Sequence, residues 1–117
     1  MAHSPNALLW DVRSAADAIG RYSAGKSIEE FLSDDMLRSA VERQFEIIGE
    51  ALAQLAKIDS QLVSRIPDAG NAIGFRNVLI HGYAKIDSGI VWEAVTKSLP
   101  RLRASVDSML NEVPPDA

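Results

Sequence analysis

The sequence predicts an all-α fold, an antiparallel bundle of four to six helices in one domain. Three observations lead there. Apolar residues recur at three- and four-residue spacing along most of the chain, no useful length alternates with period two, and the breaks between periodic runs are short. With 117 residues, 47% of them apolar, the chain can bury a core without disulfide or metal support. The domain is expected to cover 1–113, leaving Pro114-Pro115-Asp116-Ala117 as a frayed tail.

Each element has a local reason. Leu8, Leu9, Val12, Ala15, Ala16, Ile19 and Tyr22 make an amphipathic first helix over about 6–24, stopped by Gly25. Ser27-Ile28-Glu29-Glu30 has the spacing of a capping box and opens a short helix carrying Ile28, Phe31 and Leu32. Ser33-Asp34-Asp35 restarts the chain, with acidic groups at the positive end of the next helix dipole. That helix runs to Lys57 on a stripe of Leu37, Val41, Phe45, Ile48, Leu52 and Leu55, widened by Met36, Ala40, Ile47 and Ala51. A helical turn around Leu62 to Ile66 ends at Pro67, and Asp68-Ala69-Gly70-Asn71 reads as a loop. A helix over 72–81 follows, anchored by Val78, Leu79 and Ile80 and capped by Gly82. Asp87-Ser88-Gly89 turns the chain into a last helix from Ile90, with a kink expected at Pro100.

Composition narrows the chemistry. The absence of cysteine excludes disulfides, thiolate metal sites and cysteine nucleophiles, and fits a reducing cytoplasm. The first residues, MAHSPNALLW, lack the basic and apolar regions of a secretory signal, and no window is long enough to span a bilayer, so a soluble protein is expected. A net charge of −4 argues against a broad basic nucleic-acid face. A local guanidinium drawn from Arg38, Arg43, Arg65, Arg76, Arg101 or Arg103 can still grip a phosphate.

The chemistry concentrates in FRNVLIHGY, Phe75 to Tyr83. Asn77 and His81, four apart, share a helix face, so the amide can fix the tautomer of the ring. Arg76 stands about 140° away from His81 on an ideal helix, so their pairing needs the break at Gly82 or a second chain. Such groups suit cleavage of an RNA phosphodiester. An imidazole exchanges protons near neutral pH, a guanidinium steadies charge on the non-bridging oxygens, and a ribose 2′-hydroxyl nucleophile needs no metal. Each chain supplies one such histidine, so two proton transfers favour a homodimer. On spacing alone, an Arg and a His near a helix C-terminus equally suit carbonyl capping. Glu50, on the long helix, is a candidate partner for Arg76 or Arg43, or simply a solvated carboxylate. Trp92 reads as a core residue, and no phosphate-binding glycine loop is present.

The run Arg76-Asn77-Val78-Leu79-Ile80-His81-Gly82-Tyr83 matches R-N-x-x-x-H-x-Y, and resembles the active-site motif of HepT-like toxins in the HEPN superfamily of all-helical ribonucleases. Arg43 with Ile48-Gly49-Glu50-Ala51, and Asp87 with Val91-Trp92 and Leu99-Pro100-Arg101-Leu102, extend the likeness over about 8–108. It departs after Pro67, where Asp68-Ala69-Gly70-Asn71 stands in place of a frequent tryptophan.

The resemblance implies a HEPN-like bundle and a homodimer with two R…H motifs on one cleft. It also implies metal-independent endoribonuclease activity with no cofactor, and toxin function beside a minimal nucleotidyltransferase antitoxin. Carried across by position, Arg76 and His81 would be catalytic, with Asn77 supporting them and Glu50 and Arg43 possible further supports. Tyr83 would be the residue the antitoxin modifies with AMP, placing charge and bulk where RNA phosphate must bind. The competing reading is a non-catalytic helical module that binds a nucleotide or docks a nucleotidyltransferase.

Overall fold

The computed structural model of the chain describes residues 4–81 and 86–112, and every regular element in them is helical. α1 (Pro5–Ser23), α2 (Ile28–Ser33), α3 (Asp35–Ile58), α4 (Ser60–Ser64) and α5 (Ala69–His81) follow in order. α6 (Ser88–Glu93), a π-helical turn (Ala94–Ser98) and α7 (Leu99–Glu112) then form one interrupted rod, giving six rods among the described residues. No helix of these is long and apolar enough to cross a membrane. His3, Gly82, Tyr83 and the tail from 114 lie outside the described residues, so the cap expected at Gly82 and the frayed end are not addressed.

The boundaries follow from side chains that satisfy orphan amides. Ser4 accepts from the Ala7 N–H at 3.1 Å at the start of α1, with Pro5 in the first helical turn. Gly25, at φ 71°, occupies the left-handed region that lets the chain leave α1. The capping box is present in both directions: Ser27 Oγ accepts from the Glu30 N–H at 3.1 Å, and Glu30 Oε1 from the Ser27 N–H at 3.0 Å. Asp34 caps α3 through the Leu37 N–H at 3.0 Å, and Asp59 caps α4 through the Leu62 N–H at 3.1 Å. Asp87 does the same for α6, accepting from the Gly89 N–H at 2.9 Å.

The core sits where α1, α3 and α7 meet. Leu8, Leu9, Val12 and Ile19 of α1 lock against Val41, Ile48, Leu52 and Leu55 of α3, with Leu102 and Val106 of α7 completing the cluster. Phe31 is fully buried, its ring 5.1 Å from that of Trp92, so the short α2 is pinned by one aromatic pair. Trp92 is half-buried against the core, as expected. Ion pairs stitch the rim: Arg13 reaches Asp107 at 2.6 Å, and Arg103 reaches Asp17 at 2.5 Å. At the far end Arg65 pairs with Glu112 at 2.7 Å.

Four expectations need correction. The Asp68–Asn71 stretch is not a loop. Asp68 alone takes a left-handed conformation, φ 64°, which aspartate tolerates, and α5 begins at Ala69, with the Asp68 carbonyl accepting from the Ala72 N–H at 3.0 Å. Arg101 of α7 fixes the Asp68 carboxylate at 2.9 Å, a contact between distant segments that no local pattern reveals. Met36 does not widen the α3 stripe; it is 84% exposed. Val78 and Ile80 do not anchor α5, being exposed, whereas Leu79 packs against the core. The irregularity expected at Pro100 takes the form of the π turn just before it. Leu99 N–H bonds to the Ala94 carbonyl, one residue further back than in an α-helix, next to a proline that has no N–H to give.

Candidate active site

α5 packs on α3, and the closeness of that packing is set by Gly49. A β-carbon there would stand 2.3 Å from Arg76 Cβ and 2.8 Å from the Ala72 carbonyl oxygen, distances that real carbons do not reach. Glycine's missing side chain therefore lets the Arg76 turn of α5 lie directly on the α3 backbone. Below it Phe45 and Phe75 meet edge-on with ring centroids 5.4 Å apart.

From this seat the Arg76 side chain turns along α3. Its Nη2 lies 2.5 Å from Glu50 Oε2, and its Nη1 donates to Asn77 Oδ1 at 3.0 Å. Glu50 Oε1 in turn accepts from Gln54 Nε2 at 3.0 Å. The Arg76 Nε is enclosed by protein, with no hydrogen-bond acceptor among the described residues. The guanidinium thus has both terminal nitrogens held while its side chain stays 28% exposed. A cleft of about 360 Å³ opens beside it, floored by Leu8, Ile47, Ala51 and Ile80 and rimmed by Asp11, Arg43, Glu46, Glu50, Gln54 and Arg76.

The residues singled out from sequence separate into two groups. Arg76, Glu50 and Arg43 line the cleft together, Arg43 being 67% exposed and paired with Glu46 at 3.1 Å along its own helix. Glu50 is the partner of Arg76, which decides between the two arginines considered for it. Asn77 and His81 are exposed, and His81 is the last residue of α5. Both Arg76 and His81 lie within α5, so their backbone positions keep the angular separation expected from helical spacing. The Asn77 amide has a role that the spacing did not indicate: its oxygen accepts from Arg76. Gln54 also went unnoticed in the sequence. Its only signal is its place one helical turn beyond Glu50. Tyr83 lies outside the described residues.

Comparison with known proteins bears on what this arrangement is for. The sequence profile of the family described as "Ribonuclease HepT-like" matches residues 12–109, which include α3, the whole of α5 and the cleft's lining apart from Leu8 and Asp11. The chain belongs to the HepT-like ribonuclease family. The chain is 38% identical over 88 residues to a candidate RNase of Caldanaerobacter subterraneus subsp. tengcongensis, covering 75% of this chain and 78% of the relative. A candidate RNase of Methanocaldococcus jannaschii is 31% identical, with 86% of this chain and 92% of the relative covered. The probable ribonuclease HepT of Thermococcus cleftensis is 30% identical, with 93% and 98% covered. No solved structure matches the chain. As a HepT-like protein it places its Arg-x4-His run on α5, with the arginine already oriented by two neighbours.

Proposed function

We propose that this HepT-like protein is a metal-independent endoribonuclease that acts as the toxin of a toxin–antitoxin pair. The observation that carries the reading is the Arg76 guanidinium, held between Glu50 and Asn77 at the edge of an open cleft. A positioned guanidinium of this kind suits a phosphate on which charge is growing.

In the proposed reaction the ribose 2′-hydroxyl attacks the adjacent phosphorus and the bond to the 5′-oxygen breaks, leaving a 2′,3′-cyclic phosphate and a free 5′-hydroxyl. One imidazole removes the proton of the 2′-hydroxyl and a second delivers a proton to the leaving oxygen. His81 of each of two chains would serve these steps, so the active form is a homodimer. The surface of α5 supports such pairing. It leaves the apolar side chains of Val78 and Ile80 exposed and fully buries only Ala69. Its outer side presents Gly70, Gly74, Asn77, Val78 and His81, with nothing within 4 Å of where the glycine β-carbons would stand. Exposed apolar side chains gathered on one helix suit a partner surface, and glycines beside them let a second backbone come close.

Silencing is assigned to a minimal nucleotidyltransferase antitoxin that transfers AMP to Tyr83. The tyrosine is two residues beyond His81, so an added phosphate there would compete with RNA for the cleft. Incubation with such an enzyme and ATP should add the mass of AMP, and Tyr83→Phe should prevent it; an unchanged increment would move the site to Tyr22, the other tyrosine.

The primary test is cleavage of RNA in EDTA by the purified chain. His81→Ala should abolish it with circular dichroism unchanged, and growth arrest on expression should be relieved by Arg76→Ala. Cleavage by His81→Ala at the wild-type rate would exclude the mechanism. Binding of a nucleotide or nucleotidyltransferase by a wild-type chain that never cleaves RNA would favour the non-catalytic module instead.

A further inference from the structure

Among the described residues, the cleft beside Arg76 is lined by more acid than base. Arg43 and Arg76 line it against three carboxylates, Asp11, Glu46 and Glu50. A groove shaped only to attract a polyanion would not be so lined, since each additional carboxylate opposes phosphate binding. Glu46 is matched on its own helix by Arg43. Glu50 differs: it crosses from α3 to α5, meets the reacting arginine at 2.5 Å, and has its second oxygen fixed by Gln54 at 3.0 Å.

Counting donors shows what this achieves. A guanidinium has five N–H groups. In Arg76 one on Nη1 goes to Asn77, Nη2 is ion-paired with Glu50 at 2.5 Å, and the N–H on Nε is enclosed. At least one N–H on each terminal nitrogen remains, and the hydrogen bond and the ion pair together restrain the plane from turning. Donors fixed before reaction stabilise developing charge without reorganising, whereas a swinging arginine must be ordered by the substrate itself.

We propose that Glu50 is a positioning residue for Arg76, one that lowers ground-state affinity for RNA while aligning the guanidinium for the transition state. Gln54 is its support. The inference rests on the ribonuclease reading of the site and adds to it a prediction of opposite signs for binding and turnover.

The experiment uses the full chain and two RNAs of one sequence, one cleavable and one 2′-O-methylated throughout so that no nucleophilic hydroxyl is present. Glu50→Gln keeps the size and an acceptor oxygen but removes the charge. Its single-turnover cleavage rate should fall about 10- to 100-fold, the scale of a misplaced catalytic group. Its Kd for the methylated RNA should tighten about two- to fivefold, the scale of one screened surface charge. Glu50→Asp, which keeps the charge but recedes by one methylene, should lose rate with no gain in affinity. In nitrogen-15 spectra the separate Arg76 Nη signals of the wild type should merge by exchange in Glu50→Gln.

Rate and affinity falling together, or an unchanged rate in Glu50→Gln, would overturn the inference and leave the ribonuclease reading standing. A wild-type chain that cleaves no RNA would sink that reading, and this inference with it.

Discussion

Gly49 and Arg76 make a contact that a side chain at position 49 would forbid, since a β-carbon there would stand only 2.3 Å from the arginine Cβ. The clash would be with the root of the side chain and with the Ala72 carbonyl oxygen at 2.8 Å, neither of which can swing aside. Gly49→Ala should therefore lift α5 from α3. Overpacking of this kind costs about 1–3 kcal/mol. Alanine is favoured over glycine in a helix interior by about 1 kcal/mol, so a net loss in urea unfolding isolates the clash. RNA cleavage should fall as well, because the Arg76 tether shifts with the helix. A more stable Gly49→Ala would show that α5 is free to give way.

Phe31 holds α2 to the bundle through its buried ring and its contact with Trp92. Phe31→Ala should destabilise the fold by about 3–5 kcal/mol, as large-to-small changes at buried aromatic sites do. Thermal unfolding followed by circular dichroism would measure it. The change lies away from the cleft, so the cleavage rate of the folded fraction should stay near that of the wild type.

Two glutamates give stability opposite responses to pH. The Ser27 backbone N–H and then its side chain hold the Glu30 carboxyl below the usual value. Its contribution is present above the unfolded-state pKa and is lost as pH falls through the lower folded value. Burial, reinforced by nearby Glu46 and opposed by Arg38, raises the Glu42 carboxyl. Its protonated form is favoured by the fold, so that contribution is present below the unfolded-state pKa and is lost as pH rises through the higher folded value. Glu42→Gln should therefore be more stable than the wild type near pH 7, and the gap should close toward pH 4. Urea midpoints at the two pH values would check this; a gap that grows on acidification would contradict it.

The exposed side of α5 offers a separate handle on assembly. Val78→Asp places a charge on a residue that is 39% exposed in the single chain, so the fold of that chain should be kept. If α5 forms the contact between copies, association measured by sedimentation should weaken by at least about tenfold, as burying an unpaired charge would require. Cleavage should become dependent on protein concentration. An unchanged sedimentation profile would place the interface elsewhere.

Most of the fold was legible because its signals are local. The capping box at Ser27–Glu30, the acidic start of α3 at Asp34-Asp35, the apolar stripe of α3 and the exit at Gly25 depend on residues close together in the chain. The start of α5 was not legible. It rests on the Asp68–Arg101 pair between distant parts of the chain, which steadies a stretch that composition marks as a loop. Met36, Val78 and Ile80 were misplaced for a similar reason: periodicity shows which residues are apolar but not which neighbours arrive to cover them.

The candidate site divides along the same line. The sequence by itself determined the all-helical bundle, the residue types gathered in FRNVLIHGY, and the divergence of Arg76 from His81, because helical geometry assigns directions to residues a few positions apart. Only the tertiary structure decided that Glu50 is the partner of Arg76 and that Gly49 lets the two helices close. Those relations join α3 to α5, and which turn of one helix meets which turn of another is set by packing across the whole core.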